Sequence, residues 1–146
     1  MEVLRRLYSG RSFLTDHVHM EILRGMRSGH GGLAGIERAM SDGWLRETEL
    51  QTSKEKALFN NLSESLGLGE ASSIAVAHSR RMVFACDDLA ARREAEKSGI
   101  FLTGTLGILK RAVVRKIVDA READRILKDM VKNGFYSPVK SFREIR

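Results

Sequence analysis

Apolar positions recur with a helical period over most of this chain. In "EVLRRLY" (2–8), Val3, Leu4 and Leu7 fall on one side, which predicts a short helix. "SFLTDHVHMEILRGM" predicts a brief apolar piece and then a helix capped by Thr15 or Asp16, with Val18, Ile22 and Met26 on its stripe. The glycine-rich "RSGHGG" reads as a loop, and "LAGIERAMSDGW" as a short helix ending near Gly43. In "TSKEKALFNNLSESLG" the expected helix is capped by Ser53, turns Leu58, Phe59, Leu62 and Leu66 inward, and stops at Gly67.

The period changes in the second half. "GEASSIAVAHS" is a helix of small residues, suited to close packing on a sheet. "RMVFAC" (81–86) and "IFLTGT" (100–105) are short, continuous apolar runs, the pattern of strands covered on both faces. "DDLAARREAEKSG" lies between them as a helix closed by Gly99, and "LGILKRAVVRKI" and "READRILKDMVKNG" follow as two more helices. Ile126, Leu127, Met130 and Val131 form the apolar face of the last. Helices alternating with buried strands through short links predict a parallel sheet wrapped by helices. At 146 residues, with no internal repeat, a single domain over 1–146 is expected.

Composition narrows the class. With 42% hydrophobic and 30% charged residues the chain can build a core. No apolar run is long enough for a membrane span, and the N-terminus has no signal-like core. The lone Cys86 excludes an internal disulfide framework and fits a cytoplasmic setting. A net charge of +6 favours a polyanionic partner.

The candidate chemistry lies in carboxylates. Ligands of parallel α/β sheets sit beyond the carboxyl ends of the strands. Asp87 and Asp88 directly follow the run 81–86, Glu70 opens the preceding helix, and Glu21 borders the stripe that contains Ile22. Carboxylates without basic partners bind hard divalent cations through oxygen, which suits Mg²⁺ or Mn²⁺. A structural reading stands beside this. Asp88 is a good N-cap, worth about 1 kcal/mol, and Glu70 in a first helical turn is favoured by the helix dipole. Spacing alone leaves both readings open.

The segment "LGLGEASSIAVAHSRRMVFACDDLAARREAEKSGIFLTGTLGILKRA", with "RRLYSGRSFLTDHVHMEIL" before it, resembles PIN-domain proteins of the branch with Gly-Glu-Ala and Asp-Asp signatures. The match is weaker from about 25 to 65. The resemblance implies a three-layer α/β/α sandwich with a parallel sheet, and Mg²⁺- or Mn²⁺-dependent ribonuclease activity of the kind found in toxin–antitoxin pairs. It also implies Glu21, Glu70 and Asp88 as catalytic acids, with Glu70, Asp87 and Asp88 as metal ligands. The family's first strand, which carries a further aspartate, precedes the point where this chain starts to match. The expectation is therefore a PIN-like domain that is N-terminally truncated, lacks the central strand of its sheet and has an impaired site. Unpaired backbone at such a gap invites pairing, so a homo-oligomer is expected. The partners implied are RNA and an antitoxin-type protein, and the alternative is an inactive module that binds either.

Thr103 and Thr105 end the second strand near the presumed site, and Lys110 and Arg111 lie on the helix beyond it. These four are the candidates for nucleic-acid contact. His17 and His19 point apart on a helix, lack further ligands at zinc spacing, and read as surface residues. Cys86 has no visible base. A phosphoacceptor domain would also place an Asp pair at a strand end, but it needs a Lys-Pro pair, and Pro138 is the single proline.

Overall fold

The computed structural model describes residues 1–145. Helix α1 (Glu2–Tyr8) leads into strand β1 (Ser12–Thr15), and Thr15 caps α2 (Asp16–Arg27) by accepting from the Val18 amide. A 3-10 turn and α3 (Ala34–Ser41) then return the chain to β2 (Leu45–Thr48), anchored by the buried Trp44. Strand β2 is absent from the sequence reading. In Leu-Arg-Glu-Thr only Leu45 is strongly apolar, so the pairing partner β1, not periodicity, makes it a strand.

Helix α4 (Ser53–Leu62) starts one residue earlier in its cap than expected. Thr52 accepts from the Glu55 amide, and the Glu55 carboxylate accepts in return from the Thr52 amide. Gly67 does not end this helix. It is the N-cap of α5 (Leu68–Arg80).

Helix α5 is buried along most of its length. Ala71, Ser72, Ile74 and Ala75 are fully enclosed, and small side chains let the helix lie close beneath β1 and β3. It ends at Arg81, which takes the left-handed conformation (φ 53°) common just past helices.

Strand β3 is only Phe84–Ala85 and β4 only Leu102–Thr103, shorter than the apolar runs suggested. Arg81 and Met82 still close α5, and Gly99 and Ile100 close α6 (Leu89–Lys97). Nor is β3 covered on both sides: Phe84 is buried, but Val83 is 58% exposed. Helices α7 (Thr105–Val114) and α8 (Ala120–Lys132) complete the fold. Leu127 is buried within α8, whereas Val131 turns out to solvent.

The architecture is a three-layer α/β/α sandwich with parallel pairing. Side chains from α4, α5 and α6 pack with Phe84 and Ile100 in one core. Those from α1, α7, α8 and Phe142 make the other. The sheet between them is divided. Strand β1 pairs with β2 (Ser12 with Leu45 through Thr15 with Thr48), and β3 pairs with β4 (Phe84 with Leu102, Ala85 with Thr103). Between β1 and β3 lies a cleft of about 1210 Å³.

Candidate functional site

Three sequence-distant acids come together at the carboxyl ends of the strands. Glu21 projects from α2, and its Oε1 accepts from the Gly69 amide at 3.0 Å, where α5 begins. Gly69 must be small: a β-carbon there would lie 2.5 Å from Glu21 Oε2. Glu70 is the next residue of α5. Burial pushes its carboxyl above the ordinary range, the charge of Asp88 pushes it further and that of Glu21 adds, against a Gly67 backbone hydrogen bond. Asp88 caps α6, its Oδ1 accepting from the Ala91 amide at 2.9 Å. The cap reading and the cluster reading of Asp88 are thus compatible, because one oxygen serves the helix. Each of Glu21 and Asp88 keeps a second oxygen without a hydrogen-bond partner among the described residues.

Asp87 has a different setting. Its Oδ1 accepts from the Thr105 amide at 2.9 Å and its Oδ2 from the Thr105 hydroxyl at 2.5 Å, so both oxygens hold the first turn of α7. Gly104 must be glycine for this contact, since a β-carbon would stand 2.5 Å from Asp87 Oδ1 and 3.2 Å from the Cys86 carbonyl. Arg92 closes the same corner by donating to the carbonyls of Cys86 and Thr103 at 2.8 and 3.0 Å. The Cys86 thiol is pushed up by burial and by the neighbouring acids Glu70, Asp88 and Asp87, so it stays protonated.

Of the four residues expected to meet nucleic acid, Thr105 is engaged by Asp87, and Thr103 lies against Gly107, lining the central cleft. Lys110 and Arg111 also line that cleft, with Arg111 stacked 5.8 Å over the Tyr8 ring.

Three polar groupings escaped the sequence reading. Thr15 and Ser72 share a buried hydroxyl contact of 2.7 Å. Glu55, 1% exposed, is held by Arg80 Nε at 2.8 Å, which takes its carboxyl down to about 2. Arg80 also donates to Thr48 Oγ1 and the Glu49 carbonyl, tying α5 to β2. His19, taken for a plain surface residue, meets Glu47 through Nδ1 and Glu37 through Nε2 at 2.7 Å. Both ring nitrogens donate only in the protonated ring, and these contacts raise its pKa. Opposite charge is a sequence signal only for the Glu55–Arg80 and His19 groupings, and partners 18 to 57 residues apart are not legible without the fold.

Comparison with known proteins decides the family. A family model described as a PIN domain matches residues 1–146. The chain belongs to the PIN-domain family. No curated protein and no solved structure matches it. PIN domains have nuclease-type function, generally depend on divalent metal and engage nucleic acid. The donor chemistry of Glu21, Glu70 and Asp88 suits such an ion: oxygen ligands, no basic hydrogen-bond partner, and a carboxyl in Glu70 that resists ionising beside its neighbours. The set is nevertheless sparse. Among the described residues no three His, Cys, Asp or Glu side chains are grouped closely enough to hold an ion unaided. Mg²⁺ commonly keeps several waters and shares its shell with substrate phosphate, so two or three protein oxygens are an adequate protein share. Among the described residues no helix is long and apolar enough to cross a membrane.

Proposed function

We propose that this PIN domain is a metal-dependent endoribonuclease-type domain, with Glu21, Glu70 and Asp88 as its acids. The observation that carries the reading is the Glu70 carboxyl, raised by burial and by the nearby charges of Asp88 and Glu21 with no cation beside it. Like charges gathered without a basic partner favour a bound cation, and Mg²⁺ or Mn²⁺ is the class that oxygen donors select. Such an ion, when bound, supplies an activated water and offsets charge on a phosphodiester.

The protein's own residues do the rest. Glu21, Glu70 and Asp88 offer oxygens, and the Gly69 and Ala91 amides fix the orientation of two of them. Asp87 acts one step back. By holding Thr105 it fixes the start of α7, and so the placement of Lys110 and Arg111 for contact with an RNA backbone. Asp87 is a weaker candidate for a ligand than its neighbour, since both of its oxygens are engaged.

Three proteins test this: the wild type, Glu70→Ala and Asp88→Ala, assayed on single-stranded RNA with Mn²⁺. Activity in the wild type that both substitutions remove supports the reading, and equal activity in all three ends it. The same sparse acid set favours a second reading, an inactive PIN module that binds RNA or an antitoxin-type protein. RNA binding that survives chelation and both substitutions, without cleavage, selects that reading.

A further inference from the structure

Helix α2 carries more than one acid of the candidate site. Glu21, Arg24 and Arg27 follow each other at intervals of three residues, and all three are exposed. Residues three apart are neighbours on a helix surface, so the row runs from the acid to two arginines in turn. At about 1.5 Å of rise per residue, Arg24 and Arg27 lie roughly 4.5 and 9 Å along the axis from Glu21. From Ile22 to Ile36 the chain holds Arg24, Arg27 and His30 and no acidic residue. A purely basic stretch therefore begins beside a purely acidic cluster.

The row sits on a firmly held element. On its inner side Ile22 is buried, and His19 ties α2 to Glu37 of α3 and to Glu47 of β2. Past Arg27 the chain turns back through Gly31–Leu33 into α3, and the His30 amide donates to the Gly25 carbonyl at 3.1 Å. A β-carbon at Gly25 would stand 2.8 Å from Leu33 Cδ1, so the missing side chain lets the hairpin close. The two arginines take no part in this bracing. Neither guanidinium meets a carboxylate among the described residues. Arg80 and Arg92, by contrast, are occupied by Glu55 and by backbone carbonyls.

Acids and arginines in one row select a particular ligand. An acidic peptide fits poorly, because it would carry carboxylates past Glu21, Glu70 and Asp88, which share its sign. A phosphodiester chain fits both parts. One phosphate shares a divalent cation with the acids, and the phosphates that follow meet guanidinium forks, whose planar donors match phosphate oxygens. We propose that Arg24 and Arg27 form a phosphate track that holds the RNA strand on the α2 side of the scissile bond. The track is separate from Lys110 and Arg111, which belong to α7. It rests on the proposed function for the identity of the ligand, and it adds that the substrate must extend beyond the reacting phosphate along α2.

The probe is a fluorescein-labelled oligouridylate about eight nucleotides long, within the span of a single-strand site. Its binding to the full chain is followed by anisotropy, in chelator, as salt is raised. Counterion release makes log affinity fall against log salt with a slope of about 0.7 for each phosphate neutralised. Arg24→Gln and Arg27→Gln are each expected to flatten that slope by about 0.7, and the double variant by roughly 1.4. Arg24→Lys with Arg27→Lys keeps the slope, because the charge stays. Arg121→Gln with Arg125→Gln removes the same charge from exposed positions of α8 and leaves the slope as in wild type. No measurable binding by the wild type, an unchanged slope in the double α2 variant, or equal flattening in the α8 variant overturns the proposal. Poly-glutamate binding that loses as much slope in the double α2 variant overturns the assignment to RNA. The assay needs neither metal nor cleavage. Absence of cleavage with Mn²⁺ therefore defeats the nuclease reading alone, and an unchanged slope defeats the track alone.

Discussion

Two acidic regions lie on α5 and its neighbours, and their carboxyls move in opposite directions. Near the carboxyl end of the helix, Glu55 is enclosed yet held down to about 2, because Arg80 and two backbone amides meet its oxygens. At the amino end, Glu70 is raised, because no cation offsets its burial and its neighbours Asp88 and Glu21 share its sign. Burial alone therefore does not set a carboxyl's fate. The partner does. An acid with an internal cation belongs to the structure, whereas acids gathered without one are completed by a cation from outside. The first region ties α4, α5 and β2 together, and the second is the candidate site.

The largest test of this contrast is Arg80→Met. It leaves the Glu55 carboxylate enclosed without its cation, and a loss of about 3 kcal/mol is expected in urea unfolding at pH 7. The pH dependence has a definite sign. Glu55 is lowered from 4.5 to about 2, so its contribution is present above pH 4.5 and fades as the pH falls toward 2. Arg80→Met flattens that acid-side decline. An unchanged urea midpoint would erase the distinction between the two regions.

Asp87→Ala comes next. It frees Thr105 at the start of α7 and is expected to cost about 1 kcal/mol, in line with a lost helix cap. Mn²⁺ affinity, measured by calorimetry, falls less than in Asp88→Ala.

Glu70→Gln carries the opposite sign. A raised carboxyl favours the protonated fold, so this group's contribution is full below its unfolded value and is lost as the pH rises through the folded one. At pH 7 the neutral variant unfolds at slightly higher urea than wild type, where the Glu55 region only loses stability when altered. The same titration predicts Mn²⁺ binding that strengthens as the pH rises through the raised Glu70 value.

The smallest effect is the sharpest. Asp88→Asn keeps an α6 cap of equal quality, so stability changes by no more than a few tenths of a kcal/mol. Removing its charge lowers the Glu70 carboxyl, which a carbon-detected titration reads directly. A Glu70 titration that does not move would dissolve the cluster.

His19 extends the contrast to a base. Its pKa is raised from 6.5 by Glu47 and Glu37, so its contribution is full below pH 6.5 and is lost as the pH rises through the folded value. His19→Gln removes that alkaline decline in stability.

Much of this was readable before folding. The local pattern located all eight helices, since a stripe every three or four residues needs only local spacing. Thr15 and Asp88 were legible as caps, because a cap acts within three residues of itself. The PIN resemblance, carried by the Gly-Glu-Ala and Asp-Asp signatures, gave the family that the whole-chain match supports.

Other features were not local and stayed hidden. Strand β2 exists because β1 pairs with it, and the apolar runs 81–86 and 100–105 became two-residue strands because neighbouring helices claim their flanks. The sequence by itself determined which residues turn inward and which acids were available, because periodicity and capping are short-range. Only the tertiary structure decided which acids meet a cation, which meet each other, and where the sheet stands open, because those outcomes depend on charges and strand edges brought together from distant parts of the chain.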